Sequence, residues 1–145
     1  MYARLRDHQF SLYEDYARKR GLQGKSLLIL LWIYRHPKGI SQQTITRHTY
    51  STKQVVNAVI KNFSKKGYIK STVHPKDRRK KLIMLTEKGR QFAASIIDLM
   101  DEAEKKAFSQ LSAKQQQTLI ETTHLFTDVL TQEFMRLIKE ICPDI

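Results

Sequence analysis

Positions 76–81 read Lys-Asp-Arg-Arg-Lys-Lys, five cations and one acid in six residues, and run directly into the apolar stretch Leu82, Ile83, Met84, Leu85. Like charges at that density repel one another, so the run costs folding stability unless a negatively charged partner makes use of it. The whole-chain balance points the same way. Residues 38–90 hold 14 Lys or Arg against Asp77 and Glu87, a surplus of 12, whereas the other residues hold 12 cations and 12 acids, so the net charge of +12 resides in the middle of the chain. A device for solubility alone would be spread over the surface; a surplus confined to one segment is the electrostatic footprint of a polyanion-binding module.

A second group of residues carries hydrogen-bonding chemistry. Between Thr52 and Lys66, the residues Val56, Val59, Ile60 and Phe63 fall at i, i+3, i+4 and i+7, the spacing of one buried helical stripe. Lys53, Gln54, Asn57, Lys61 and Lys65 therefore point elsewhere. An amide such as Gln54 or Asn57 offers a donor and an acceptor together, which suits adenine, while Lys suits guanine or phosphate. Lys53, Gln54, Asn57 and Lys61 are the candidate base readers, and for Lys61 and Lys65 phosphate contact is the plainer role.

The elements that must position these groups follow from capping and periodicity. A helix is expected over 3–20, through Phe10, Tyr13, Tyr16 and Ala17, ending at Gly21. A helix over 25–36, apolar nearly all round, should be central and stops at His36-Pro37 and Lys38-Gly39. Ser41 can cap a short helix, Ser-Gln-Gln-Thr-Ile-Thr-Arg-His; a turn at 49–51 follows, then the helix over 52–66, closed by Gly67. Two β-favouring runs, 68–74 and 82–86, flank the cationic run as a hairpin with a charged tip. Thr86 can cap the next helix, which runs to about 108, and Ser112 can cap the last.

That last helix, over about 113–141, carries Leu119, Thr123, Phe126, Leu130, Phe134, Leu137 and Ile141 at steps of three and four. The stripe spans about 30 Å, more than a compact module needs for its own core, so Leu119, Phe126, Leu130, Phe134, Leu137 and Ile141 are the candidate dimer seam. Burial of the stripe within one subunit is the competing outcome.

Other chemistries find little support. The histidines (His8, His36, His48, His74, His124) form no i, i+4 pair and have no cysteine partner, so no metal site and no cofactor is expected. No Gly-rich phosphate loop, spaced carboxylate pair or nucleophile elbow is present, so the chain is not expected to be an enzyme. Cys142 is the single cysteine and reads as an ordinary thiol. The longest apolar stretch, nine residues at 26–34, falls short of the roughly 20 needed to span a membrane, and residues 1–21 do not look like a secretory signal, so a cytoplasmic protein is expected.

Short helix, turn, polar-faced helix and hairpin, in that order, make a winged helix-turn-helix, in which a helix enters the major groove and a basic hairpin reaches the neighbouring backbone or minor groove. The residues closely resemble the MarR family of bacterial transcription regulators. The family's wing motif, Asp-x-Arg and then Leu-Thr-x-x-Gly, stands here as Asp77-Arg78-Arg79 and Leu85-Thr86-Glu87-Lys88-Gly89, and Lys-Lys-Gly-Tyr-Ile at 65–69 is similar to its link between recognition helix and wing. The recognition helix departs from the common pattern: Asn57-Ala58 and Lys61-Asn62-Phe63 stand where many members carry Thr-Arg and Asp-x-Leu. No operator sequence carries over.

The resemblance implies a mainly α fold with a small β-hairpin wing and long N- and C-terminal dimerisation helices. It implies a single domain over 1–145, with dimerisation helices at 1–24 and 108–145, a DNA-binding lobe at 25–90 and a linking helix at 87–108. The homodimer would bind a pseudo-palindromic operator in double-stranded DNA and act as a repressor. Contacts would come from Ser41, Gln42, Thr52, Lys53, Gln54, Asn57, Lys61 and Lys65, and from the wing residues Lys76, Asp77, Arg78, Arg79 and Lys80. Arg79 would enter the minor groove, and Asp77 would hold the wing by pairing with neighbouring basic groups. A small aromatic effector is a further implication, with Phe10, Tyr13, Trp32 and Tyr34 as pocket candidates, although aromatics at helical spacing are more often plain core. The rival from another class is a basic interaction module that binds RNA or anionic membrane without sequence preference.

Overall fold

A computed structural model describes residues 1–144. Six helices and one hairpin follow one another in the order α1 (Tyr2–Lys19), α2 (Ser26–Tyr34), α3 (Gln42–His48), α4 (Lys53–Lys65), β1 (Ile69–His74), β2 (Asp77–Leu85), α5 (Glu87–Ser109) and α6 (Ala113–Ile141). The chain forms two compact units that divide within α5, between Met100 and Asp101.

The first unit is built around α2. Its residues Leu27, Ile29, Leu30 and Ile33 are buried, as an all-apolar helix requires, and they share a core with Ile45 of α3, Val56 and Phe63 of α4, Ile83 and Leu85 of β2, and Ala93, Ile96 and Ile97 of α5. Each such large side chain contributes about 1.5–3 kcal/mol on burial. Tyr16 and Arg20 tie the α1 end to α5, donating to the carbonyl oxygens of Ile96 at 2.5 Å and Ser95 at 2.8 Å. Side-chain oxygens of Ser41 and Thr52 accept from Thr44 N–H and Val55 N–H at the starts of α3 and α4.

Helix α4 ends at Gly67, whose φ of +74° lets Gly67 N–H reach Ser64 O at 3.0 Å and Tyr68 N–H reach Phe63 O at 2.9 Å. This paired closure turns the chain directly into the hairpin. β1 and β2 are antiparallel, with Ile69 opposite Leu85 and Val73 opposite Lys81. Ile40 adds a short third rung, exchanging two backbone hydrogen bonds with Ile83 and anchoring the hairpin beside the start of α3.

One boundary differs from the sequence expectation. The second strand starts at Asp77, not Leu82, so most of the cationic run is strand and not loop. Extended backbone sends successive side chains to opposite faces, which separates like charges better than a compact turn.

In the second unit, Ser112 and Gln115 form a reciprocal capping box that opens α6. No residue of α6 is buried, and the six stripe residues from Leu119 to Ile141 are between 39% and 69% exposed. Within its own unit the stripe is therefore not buried.

Candidate nucleic-acid interface

The amphipathic pattern of α4 separates two kinds of side chain. Val56 and Phe63 are buried and Val59 and Ile60 are half-buried, while Lys53, Gln54, Lys61 and Lys65 are exposed. Asn57 lies between these classes: it is half-buried, and its side-chain carbonyl accepts a hydrogen bond from the side-chain amide of Gln42, itself half-buried on α3. The hydroxyl oxygens of Ser41 and Thr52, expected as contacts, accept the capping hydrogen bonds of α3 and α4.

The turn between these helices is tightly determined. Thr49 is buried; its hydroxyl donates to Ile45 O at 2.7 Å and lies 2.8 Å from Ser51 Oγ, and its carbonyl accepts from Lys25 Nζ at 2.9 Å. Tyr50 follows with a φ of +50° and an almost wholly exposed ring. Residue patterns alone do not single out Tyr50.

At the wing, the ladder pairs His74 with Asp77 immediately after Val73 with Lys81, so Arg78, Arg79 and Lys80 have no partner opposite them. All three are exposed. Asp77 steadies this bulge by accepting from the backbone N–H of Arg79 at 3.0 Å. This corrects the expected mode of bracing: the carboxylate holds a backbone group, and no ion pair joins Asp77 to a cation among the described residues. Lys76 N–H donates to His74 Nδ1 at 3.0 Å across the Pro75-Lys76 turn.

The base of the wing explains the Leu-Thr-x-x-Gly spacing. Thr86 donates from its hydroxyl to Gly67 O at 2.6 Å and accepts from Gly89 N–H at 3.0 Å, and its own N–H reaches Tyr68 O at 2.9 Å. One threonine thus joins the end of α4, the start of β1 and the first turn of α5. Tyr68 stacks on Phe92 with centroids 4.3 Å apart, and Lys88 crosses back to Lys66 O at 2.9 Å.

All 14 cations between 38 and 90 are exposed, and none of them forms an ion pair among the described residues. Their charge is available to an external anion.

The pocket candidates do not share one setting. Phe10 and Tyr13 are exposed on α1. Trp32 stacks on His48 at 4.5 Å and on His36 at 5.7 Å between centroids, and Tyr34 donates to Asp98 at 2.9 Å. Among the described residues, no group of three or more His, Cys, Asp or Glu could hold a metal ion, and no helix is long and apolar enough to cross a membrane.

Residues 20–80 match the sequence model of the MarR family. An uncharacterized HTH-type transcriptional regulator, YdcH of Bacillus subtilis, is 21% identical over 84 residues; the match covers 58% of this chain and 57% of that relative's own length. Among solved structures, the MepR–DNA complex of S. aureus aligns at a TM-score of 0.73 with 21% identity, covering 90% of this chain and 98% of that one. NMB1585, a MarR family regulator from Neisseria meningitidis, aligns at a TM-score of 0.75 with 21% identity, covering 93% and 94%. At these identities the structural matches establish a shared winged-helix fold.

Proposed function

We propose, from the match of residues 20–80 to the MarR family model and the shared winged-helix fold, that this chain is a MarR-type regulator: a homodimeric, sequence-specific DNA-binding regulator of transcription. One observation carries the reading: every cation of the 38–90 surplus is exposed and forms no ion pair among the described residues, on the same unit that presents the polar side of α4 and the bulge of the wing. A solvated surface with no anionic partner would gain nothing from leaving 14 cations uncompensated in one module.

In this reading α4 enters the major groove, where Lys53, Gln54 and Asn57 meet base edges and Lys61 and Lys65 meet phosphates. The wing lies along the adjacent minor groove with Arg79 inserted, where a narrow groove concentrates negative potential. The apolar stripe of α6 seals a two-fold dimer, so that two lobes meet two half-sites of a pseudo-palindrome. Repression is the natural sign, since a dimer seated on the duplex occludes what it covers. A small aromatic effector that alters the spacing of the lobes completes the proposal, as the family resemblance implies.

Selection of bound duplexes from a random DNA pool, followed by competition at physiological salt, tests the reading. The selected palindrome should outcompete random duplex by about a thousandfold or more. Equal displacement by random duplex, by RNA or by anionic vesicles would replace it with a non-specific polyanion-binding module.

A further inference from the structure

Tyr50 joins α3 to α4 and has the only positive φ of any non-glycine among the described residues, at +50°. A Cβ crowds the following carbonyl in that conformation, so glycine or asparagine is the residue a turn of this shape ordinarily selects. The surroundings enforce the shape. Thr49 is buried and hydrogen-bonded beside it, Lys25 holds the Thr49 carbonyl, and Ser51 N–H reaches back to Thr46 O at 3.2 Å.

The turn accounts for the left-handed backbone and leaves the tyrosine side chain unexplained. The residue is 91% exposed, and its hydroxyl meets no partner among the described residues. Neither packing nor a side-chain hydrogen bond within the chain offsets the strain. Outliers of this kind gather where a ligand is met. Tyr50 also stands two residues ahead of the Thr52 cap of α4, with exposed Arg47 and Lys53 three residues to either side.

We propose that Tyr50 is a backbone-contact residue whose phenolic O–H donates to a phosphate oxygen of bound duplex DNA and fixes the N-terminal end of α4 against the strand. The inference rests on the DNA-binding reading above and adds to it a contact outside the cationic set. Tyrosine is one of the side chains that set register on phosphates. Being neutral, it displaces no counterion, so its signature differs from that of a lysine.

The test compares wild type, Tyr50→Asn and Tyr50→Phe by thermal melting and by fluorescence anisotropy on a selected duplex and a random duplex across a salt series. Asparagine tolerates the left-handed region, so Tyr50→Asn should melt at or above the wild-type temperature while binding both duplexes about three- to tenfold more weakly, with an unchanged salt slope. Tyr50→Phe keeps the ring and should show most of that loss. Wild-type affinity in Tyr50→Asn overturns the inference alone, as does wild-type affinity in Tyr50→Phe, which would remove the hydroxyl from the contact. A loss confined to the selected duplex would make Tyr50 a base reader and overturn the phosphate assignment. Failure of the wild type to bind either duplex would remove the DNA-binding reading, and this inference with it.

Discussion

Gln42, in the first turn of α3, donates from its side-chain amide to the side-chain carbonyl of Asn57, in the second turn of α4. The bond occupies one of the two lone pairs on that oxygen and aims the Asn57 amide, so the two residues should read DNA as a unit. Gln42→Ala and Asn57→Ala should then be non-additive in operator affinity, with a coupling of about 0.5–3 kcal/mol in a double-mutant cycle. Strict additivity would mean that each amide acts alone.

Arg79 and Lys65 are both exposed cations and should nevertheless fail differently. In the proposed mode Arg79→Ala would remove a groove contact and should weaken the selected operator by about 1–3 kcal/mol. In the same mode Lys65→Ala would remove a phosphate contact, weakening all sequences alike and reducing the slope of log K against log salt by about one. An unchanged slope for the Lys65 variant would remove its phosphate role.

The wing offers a contest of signs at Asp77. Deleting a carboxylate near phosphates should tighten DNA binding by electrostatics alone. The same change to alanine also removes the acceptor that holds Arg79 N–H, and loosening the bulge should weaken binding. We expect the second effect to win for Asp77→Ala by about three- to tenfold, with Asp77→Asn, which keeps an acceptor oxygen, binding at least as well as wild type. Tighter binding by the alanine variant would reduce the brace to insignificance.

Gly89 gives a prediction about folding. A Cβ built there would lie 1.8 Å from the Tyr68 carbonyl oxygen, a backbone atom that already accepts from Thr86 N–H. The clash cannot be relieved by a rotamer change, so Gly89→Ala should cost about 3 kcal/mol or more and lower the melting temperature by roughly 10 °C. A melting temperature within a few degrees of wild type would show that α5 can shift without loss.

Those relationships show what local sequence can and cannot disclose. Ser41, Thr52 and Ser112 each cap the helix they were expected to cap, because a cap is decided within four residues. The stripe of α4 was legible for the same reason: Val56 and Phe63 are spaced by the helix itself. The start of β2 was not, since cations have little β propensity and the strand is fixed there only by Asp77 and Lys81 pairing with His74 and Val73 of β1. The hydrogen bond between Gln42 and Asn57 spans 15 positions, and the unpaired residues 78–80 arise from a register jump. Tyr50 escaped because its significance is a backbone angle, which no residue pattern in the turn announces.

Phe134 tests the assembly on which a two-fold operator depends. It lies on α6 between Leu130 and Leu137 at steps of four and three, and it is 56% exposed in the single chain. An apolar face of this length in water is stable only if something covers it, and a second copy offers a matching stripe. A carboxylate in the middle of that seam would be desolvated without a partner, at a cost of several kcal/mol for each copy. Phe134→Asp should therefore sediment as a monomer with its helical content intact, and lose most of its operator affinity, because one lobe without its twin forfeits the gain of engaging two half-sites at once. A wild-type sedimentation profile for this variant would exclude the α6 stripe as the seam.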